Sequence, residues 1–231
     1  MGKAYANRKS IEERPEGDFY ETPKSLVWVA TDLIRAEFDT AIPILEPCSG
    51  NGSISNELKK LGFQVIENDL FKGGKDYVDT EFNQKYVITN PPFSLWDEFA
   101  TKAKSECDKV MFIGRLNYFG TASRLKNGIW ENLKSIHCFN RYVDYRTPSR
   151  EDGFFNVGAM ATAWFVWDMS FNGSPTIHFL DVQAFAKLGN YKGNERVFPD
   201  RGREGLFLRV SGKRNIHKRI AEDYGYGRGI S

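Results

Sequence analysis

The feature that most limits the fold is an alternation of short apolar runs with helical patterns. The apolar runs are of strand length, and the segments between them repeat apolar residues at helical spacing. Strands that alternate with helices are typical of a doubly wound, mainly parallel α/β sheet of the Rossmann-like type, with helices on both faces. The predicted strands are 42–46, 63–68, 86–89, 110–113, 136–139 and 160–167, and the predicted helices are 24–38, 53–61, 95–107 and 122–133.

The tetrapeptide Asn90-Pro91-Pro92-Phe93 directly follows the predicted strand 86–89. Proline has no N–H and a fixed φ, so the strand cannot continue, and each residue before a proline is held extended. The pattern predicts a rigid cup with a side-chain amide oxygen, a prolyl carbonyl and an aromatic face. Two acceptors can bond both N–H groups of an exocyclic amine and aim its lone pair at an electrophile. Alternatively the motif only ends the strand, because Asn and Pro are common turn residues.

A second segment, Glu46-Pro-Cys-Ser-Gly50-Asn-Gly52, joins strand 42–46 to helix 53–61. Its two glycines allow the backbone to approach a ligand closely. The segment meets neither the dinucleotide pattern G-x-G-x-x-G nor the P-loop pattern. Ligands of doubly wound sheets bind outside the carboxyl ends of the strands, which is where this turn, Asp69 and Asn90 are all expected.

In this order along the chain, several stretches resemble the S-adenosylmethionine-dependent amino-methyltransferases of DNA, in particular the N6-adenine enzymes. The resemblance covers about residues 18–115. It implies S-adenosylmethionine as cofactor, double-stranded DNA as partner, and methyl transfer to the N6 of a flipped adenine. The matching stretches are Asp18–Pro23, Glu46–Gly52, Val65–Leu70, Asp76–Val78 and Asn90–Phe93.

The same resemblance implies roles for individual residues. Asp69, with Glu67 as the alternative, would bind the ribose hydroxyls, and the pair Asp76-Tyr77 would hold the adenine of the cofactor. The expected cofactor-binding residues are Tyr20, Thr22, Pro23, Glu46, Pro47, Cys48, Gly50, Gly52, Asp69, Leu70, Asp76, Tyr77 and Asn90. The expected catalytic residues are Asn90, Pro91, Pro92 and Phe93, with the target base stacked on Phe93.

Each of these residues also has a structural interpretation. Asp69 could cap a helix and Asp76 could stabilise a turn. Thr22 is expected to be the N-cap of helix 24–38, with Pro23 at its first helical position. The functional interpretation therefore depends on the order and spacing of the motifs.

Two basic segments lie outside the alternating core. Residues 183–231 carry eleven Lys/Arg and five Asp/Glu, although the whole chain has a formal net charge of only +2. Such a segment suits contacts to phosphates, or is simply a solvated surface. The other segment, 140–158, combines arginines with aromatic residues and is the candidate DNA-recognition loop. The expected DNA-binding residues are Arg146, Arg150, Lys213 and Arg214.

Composition excludes several other classes of protein. The three cysteines form no C-x-x-C pair and the three histidines no cluster, so we expect no metal site, no disulfides and a reducing cytoplasm. No apolar stretch is long enough for a membrane span, and the first residues lack the apolar core of a signal peptide. We expect a mobile arm at 1–17, a core at 18–182 and a basic segment at 183–231, in a monomer or weak dimer. The length favours a stand-alone phage or orphan methylase.

Alternatives remain at this stage. An N4-cytosine DNA methyltransferase, a ribosomal-RNA methyltransferase and a protein-glutamine methyltransferase could all use a similar cup. A protein that keeps the cofactor fold without activity is the alternative outside enzymes.

Overall fold

The computed structural model describes residues 21–145 and 147–182, together with the backbone of two short strands at 190–192 and 195–197. The main sheet contains β1 (Ile44–Glu46), β2 (Val65–Glu67), β3 (Tyr86–Thr89), β4 (Lys109–Arg115), β5 (Leu133–Phe139), β6 (Thr162–Asp168) and β7 (Thr176–Leu180). An antiparallel pair is formed by β8 (Asn190–Lys192) and β9 (Glu195–Val197). The α-helices are α1 (Lys24–Trp28), α2 (Thr31–Glu37), α3 (Ser53–Lys60), α4 (Trp96–Glu106) and α5 (Ala122–Lys126), and short 3-10 helices lie at Leu70–Lys72, Phe93–Leu95 and Leu116–Gly120.

The order of strands in the main sheet is β2-β1-β3-β4-β6-β5-β7. Only β6 runs against its neighbours, since β1 to β4 pair in parallel and β5 pairs in parallel with β7. The chain moves outward from β1 to β2 and then crosses back to start β3 on the other side of β1. This reversal places a topological switch point between β1 and β3, where ligands of such sheets bind.

Two hydrophobic layers cover the two faces of the sheet. Adjacent residues of one strand point to opposite faces, as Ile44 and Leu45 do in β1. Helices α1, α2 and α3 pack on the face that includes Ile44, whereas α4 packs on the face that includes Leu45. The prediction of a doubly wound, mainly parallel sheet with helices on both faces is confirmed.

The predicted helix 24–38 is in fact two short helices separated at Val29 and Ala30. Pro23, not Thr22, occupies the N-cap of α1, which has no side-chain capping bond. Long-range bonds fix α1: the backbone N–H of Ser25 donates to the carbonyl of Gly153 at 3.0 Å. These tertiary contacts orient α1 separately from α2, and local helix propensity does not reveal them.

Other departures lie in the second half of the chain. The helix predicted at 122–133 ends at Lys126, because Gly128 adopts a left-handed φ of 68° just beyond it. Strand β7 was not predicted. The loop 140–158 contains only an isolated bridge, from Val143 to Val157, and it is not merely a surface loop. Its side chains Val143, Tyr145, Phe154 and Phe155 are all buried in the core.

Candidate active site

A cavity of about 830 Å³ lies at the carboxyl ends of β1, β2 and β3, next to the switch point. The loops that follow these three strands supply most of its wall. Glu21 and Thr22 before α1, Ser53 at the start of α3, Leu95 in the 3-10 helix before α4, and Phe99 of α4 complete it. The lining residues are Glu21, Thr22, Glu46, Pro47, Cys48, Ser49, Gly50, Asn51, Ser53, Asp69, Leu70, Phe71, Lys75, Asp76, Tyr77, Asn90, Pro91, Pro92, Leu95 and Phe99.

Most of the predicted site residues meet in this cavity. Those that line it are Thr22, Glu46, Pro47, Cys48, Gly50, Asp69, Leu70, Asp76, Tyr77, Asn90, Pro91 and Pro92. Pro23, Gly52 and Phe93 do not line it, and Gly52 instead borders a neighbouring polar hollow. Tyr20 lies outside the described residues. Sequence reasoning missed Glu21, Lys75 and Phe99, whose contribution depends on how the loops fold back.

The glycine turn after β1 is held by the segment that follows β2. Gly50 and Gly52 have φ of 47° and 75°, which glycine adopts without strain. One carboxylate oxygen of Asp69 accepts the N–H of Gly50 at 2.7 Å, and the other accepts the N–H of Phe71 at 2.9 Å. Asp69 therefore has the capping role considered above and also fixes the turn. A contact to ribose hydroxyls stays a prediction.

Glu46 is the last residue of β1 and is almost completely buried. The hydroxyl of Ser55 in α3 donates a hydrogen bond to its carboxylate. Burial raises the pKa of Glu46 from its ordinary 4.5 to about 8, because the charged form has lost its hydration. The residue is therefore an acid whose ionisation a bound cation would favour.

Asp76 and Tyr77 also line the cavity. The carboxylate of Asp76 accepts the N–H of Val78 at 2.9 Å, which is the turn role considered above. Tyr77 is 3% exposed, and its ring packs 4.8 Å from that of Phe99 and 5.8 Å from that of Phe82. Burial also raises the pKa of Tyr77. Its hydroxyl has no hydrogen-bond partner within the part of the chain that the structure describes.

Asn90 follows the last residue of β3 and lines the cavity. The residue is only 9% exposed. Its side-chain Oδ1 is buried and accepts no hydrogen bond from residues 21–145 or 147–182. Pro91 and Pro92, which follow it, also line the cavity. A buried amide acceptor without a donor is a costly arrangement unless a ligand supplies the donor.

Phe93 has other neighbours than those predicted. Its side chain is 8% exposed, the edge of Tyr145 lies against it at 5.6 Å, and the guanidinium carbon of Arg115 lies 4.6 Å from its ring centroid. The hydroxyl of Tyr118 donates to its carbonyl at 3.2 Å. Stacking of a target base on Phe93 stays a prediction, and it would require Arg115 to move.

Of the predicted DNA-binding residues, only Arg150 is among the described ones, since Arg146, Lys213 and Arg214 lie outside them. Arg150 is exposed and pairs with Asp152 at 2.7 Å. The loop that carries it reaches the rim of the cavity, where the N–H of Ser149 donates to the carboxylate of Glu21 at 3.4 Å.

None of the described residues form a group of three or more His, Cys, Asp or Glu placed to hold a metal ion. None of the described helices is long and apolar enough to span a membrane. Cys48, Cys107 and Cys138 form no disulfide bond with one another.

No protein-family model matches this sequence, and no curated protein matches it. Its fold is similar to that of several solved structures. A type I restriction-modification methyltransferase subunit from Streptococcus thermophilus is 10% identical over 78% of this chain, with a TM-score of 0.47, and the chain spans only 50% of that subunit. A putative RNA methyltransferase from Pyrococcus horikoshii is 18% identical, with a TM-score of 0.45, over 68% of this chain and 91% of that one.

A third similar structure is a putative class I S-adenosylmethionine-dependent methyltransferase from Listeria monocytogenes. It is 14% identical over 74% of this chain and 69% of its own, with a TM-score of 0.49. Because all three identities are below 20% and all three TM-scores below 0.5, these likenesses identify neither the substrate nor the cofactor of this chain.

Proposed function

We propose that this protein is an S-adenosylmethionine-dependent methyltransferase that modifies the N6 amino group of adenine in DNA. The observation that carries the proposal is Asn90, whose buried Oδ1 lacks a donor within the described residues and lies at the wall of the cavity. An exocyclic amine that enters the cavity supplies the missing N–H. Pro91, the second expected acceptor, lies beside it in the same wall.

The charge of the cavity supports the choice of cofactor. Four carboxyl groups line it, and Lys75 is the one basic residue among its lining residues. Such a wall disfavours the phosphates of a nucleotide and favours a ligand that carries positive charge. S-adenosylmethionine carries a sulfonium, an ammonium and a carboxylate group on an uncharged adenosine, so its net charge is positive, and when bound it supplies an electrophilic methyl group. The carboxyl groups are those of Glu21, Glu46, Asp69 and Asp76.

Individual residues fit the parts of this cofactor. The glycine turn allows close approach of a ligand to its backbone, and Glu46 behind it would balance a cation. Asp76 and Asp69 offer carboxylate oxygens for the amino and hydroxyl groups of adenosine, beside an apolar floor formed by Tyr77 and Phe99.

The cup orients the substrate amine rather than deprotonating it. The amino nitrogen of adenine is a weak nucleophile because its lone pair is delocalised into the ring. Acceptors at Asn90 and Pro91 bond both N–H groups, favour a pyramidal nitrogen and direct its lone pair toward the cavity. Transfer would form the bond from nitrogen to the methyl carbon as the bond from sulfur to that carbon breaks, which would leave a neutral thioether, and the amine would then release one proton to solvent.

DNA is the proposed substrate because the motif order resembles that of DNA enzymes and because residues 183–231 are basic. An adenine inside a duplex cannot reach a cup at the wall of a cavity, so the target base must flip out of the stack. Arg146, Arg150, Lys213 and Arg214 remain the proposed contacts to the duplex.

The proposal is tested with tritium-labelled S-adenosylmethionine and enzymatically amplified, hence unmethylated, duplex DNA. We expect tritium in the DNA, and mass spectrometry of the digested nucleosides should identify N6-methyladenosine in its deoxy form. Parallel reactions contain ribosomal RNA stripped of protein, and total cell protein. Label in either of these and not in DNA would overturn the proposed substrate, and N4-methylcytosine would overturn the proposed base.

A further inference from the structure

Arg115 was not among the residues expected at the site. It is the last residue of β4, which pairs in parallel with β3. In this pairing Thr89, the last residue of β3, lies opposite Phe112, so β4 continues three residues beyond it. Arg115 therefore lies at the same edge of the sheet as the cup and is further along the strand direction.

The backbone of Arg115 is fixed. It pairs with Thr162 of β6. Two residues earlier in β4, the carbonyl of Ile113 accepts a hydrogen bond from the indole N–H of Trp96 at 2.9 Å. A Cβ on Gly114 would approach that indole nitrogen to 2.9 Å, so the strand and the indole are in close contact. The direction of the Arg115 side chain is thus set by the sheet.

The guanidinium of Arg115 lies on an aromatic ring and pairs with no carboxylate among the described residues. Its carbon atom is 4.6 Å from the centroid of Phe93, the aromatic residue of the cup. Its Nε is buried and donates to no acceptor among residues 21–145 and 147–182, and the side chain forms no ion pair with them. An unsatisfied charged donor in a partly buried place is unfavourable unless a ligand completes it.

A neighbouring arginine, Arg124, has a guanidinium whose N–H groups do have hydrogen-bond acceptors. Arg124 also lies over an aromatic ring, that of Tyr118 at 4.2 Å. Its Nε donates to the carboxylate of Asp97 at 2.6 Å, and its Nη1 donates to the hydroxyl of Thr121 at 2.9 Å. Asp97 balances Arg124, whereas no carboxylate among the described residues forms an ion pair with Arg115.

We propose that Arg115 binds a backbone phosphate of the target nucleotide as its base enters the cup, and leaves the ring of Phe93 in doing so. The inference rests on the proposed function, since it takes the cup to hold a nucleobase. Guanidinium groups match phosphate oxygens in geometry and charge. The same movement uncovers the face of Phe93, so that phosphate binding and base stacking occur together.

The test compares the parent protein with Arg115→Ala, Arg115→Lys and Arg35→Ala. Arg35 is an exposed cation of α2, two residues before Glu37, whose carboxylate bonds Lys134 near the opposite edge of the sheet. For each protein we would measure the affinity for unmethylated duplex DNA over a range of salt, the KM for that DNA, kcat, and the affinity for S-adenosylmethionine.

We expect Arg115→Ala to raise the KM for DNA about tenfold, as the loss of one charge-assisted contact implies. The slope of log affinity against log salt should flatten by about 0.9, the value of one phosphate. Cofactor affinity should stay as in the parent. Arg115→Lys should restore the salt slope, because an ammonium group also contacts phosphate as a point charge, and Arg35→Ala should match the parent.

If the parent protein methylates DNA, two results would overturn the inference. One is an Arg115→Ala protein whose KM for DNA and salt slope equal those of an active parent, which would leave the proposed function intact. The other is an equal effect from Arg35→Ala, which would indicate a general effect of charge. If the parent protein itself methylates no DNA, the proposed function fails, and the inference about Arg115 fails with it.

Discussion

The two edges of the sheet differ in how their polar groups are paired. The amino edge is the one at which β1 to β4 begin, and the carboxyl edge is the one at which they end. At the amino edge, the carboxylate of Glu37 contacts the ammonium groups of Lys134 at 2.6 Å and Lys109 at 3.6 Å, and that of Asp168 lies 3.8 Å and 3.5 Å from the same two groups. At the carboxyl edge, Asn90, Arg115 and Tyr77 each have a buried polar atom without a hydrogen-bond partner among the described residues.

This difference distinguishes polar groups that stabilise the fold from polar groups that are left for a ligand. A buried polar atom without a partner costs about 1–3 kcal/mol, so folding alone would eliminate it. Asn90 and Tyr77 line the cavity, where such atoms indicate groups that a ligand completes. Mutations at the amino edge should therefore change the free energy of unfolding, whereas mutations at the carboxyl edge should change activity.

The largest expected effect is that of Asn90→Ala at the carboxyl edge. Loss of an acceptor that orients the reacting amine should lower kcat about 100- to 1000-fold, by analogy with the removal of one preorganised hydrogen bond. The free energy of unfolding should change by no more than about 1 kcal/mol, because Oδ1 has no hydrogen bond to lose within the described chain.

Turnover assays and urea denaturation measure the two quantities. Asn172→Ala, at an exposed position between β6 and β7, is the matched control and should leave both unchanged. Near-parent turnover in Asn90→Ala would remove the basis of the mechanism.

Next come the acids of the cavity. Asp69→Asn and Asp76→Asn keep an acceptor for the backbone N–H groups they bind but remove the charge. Hydrogen bonds to charged groups contribute about 1.5–3 kcal/mol, so each change should weaken S-adenosylmethionine binding about tenfold or more. Calorimetry measures this, with Asp79→Asn outside the cavity as control. Two variants that bind like the parent would show that the cofactor lies elsewhere.

The third effect depends on pH. The folded protein keeps a proton on Glu46 up to about pH 8, whereas the unfolded chain releases it near the ordinary pKa of 4.5. The contribution of this proton to the free energy of unfolding is complete below pH 4.5, and it is lost as the pH rises through the folded pKa of Glu46. Glu46→Gln cannot ionise and still offers an oxygen to the hydroxyl of Ser55.

From about pH 5 to pH 8 the variant should therefore gain at least about 1.4 kcal/mol on the parent, the equivalent of one pKa unit. Urea denaturation of both proteins at the two pH values gives the difference. If their stabilities ran parallel across this range, the burial of Glu46 would have no energetic consequence.

The smallest effect concerns the amino edge. Glu37→Gln should lower the free energy of unfolding by about 1 kcal/mol, since its carboxylate is partly buried between two ammonium groups. Lys85→Met breaks the exposed pair with Asp108 and should have a smaller effect. Neither should change kcat or cofactor affinity. A loss of activity in Glu37→Gln with unchanged stability would reverse the comparison between the edges.

Much of this fold could be predicted from the sequence, because apolar runs and proline stops are local signals. Strands β1 to β4 lie within a few residues of their predicted places, and the motifs after β1, β2 and β3 meet as expected. The early end of α5 also had a local signal in Gly128, a residue that favours the left-handed conformation. Strand β7 also had a local signal, the alternation of Ile177 and Phe179 with polar residues, although both side chains are exposed, 62% and 63%.

The site was predicted less completely for a different reason. Arg115 and Phe93 are 22 positions apart in the printed sequence, and only the pairing of β3 with β4 brings them together. The burial of Tyr77 against Phe99 likewise depends on how α4 packs on the sheet. Such contacts arise from tertiary structure, so no local pattern of residues reveals them.

The loop 140–158 is attached to the wall of the cavity, and this has a consequence for how ligands act on each other. Its Gly153 bonds Ser25 of α1, and a side chain there would meet the indole of Trp28 at 2.4 Å. Its Ser149 bonds Glu21, which lines the cavity. If the loop contacts DNA, the DNA and the ligand of the cavity contact one structural unit. Thermodynamic reciprocity then requires each of these two ligands to change the affinity of the other by the same factor.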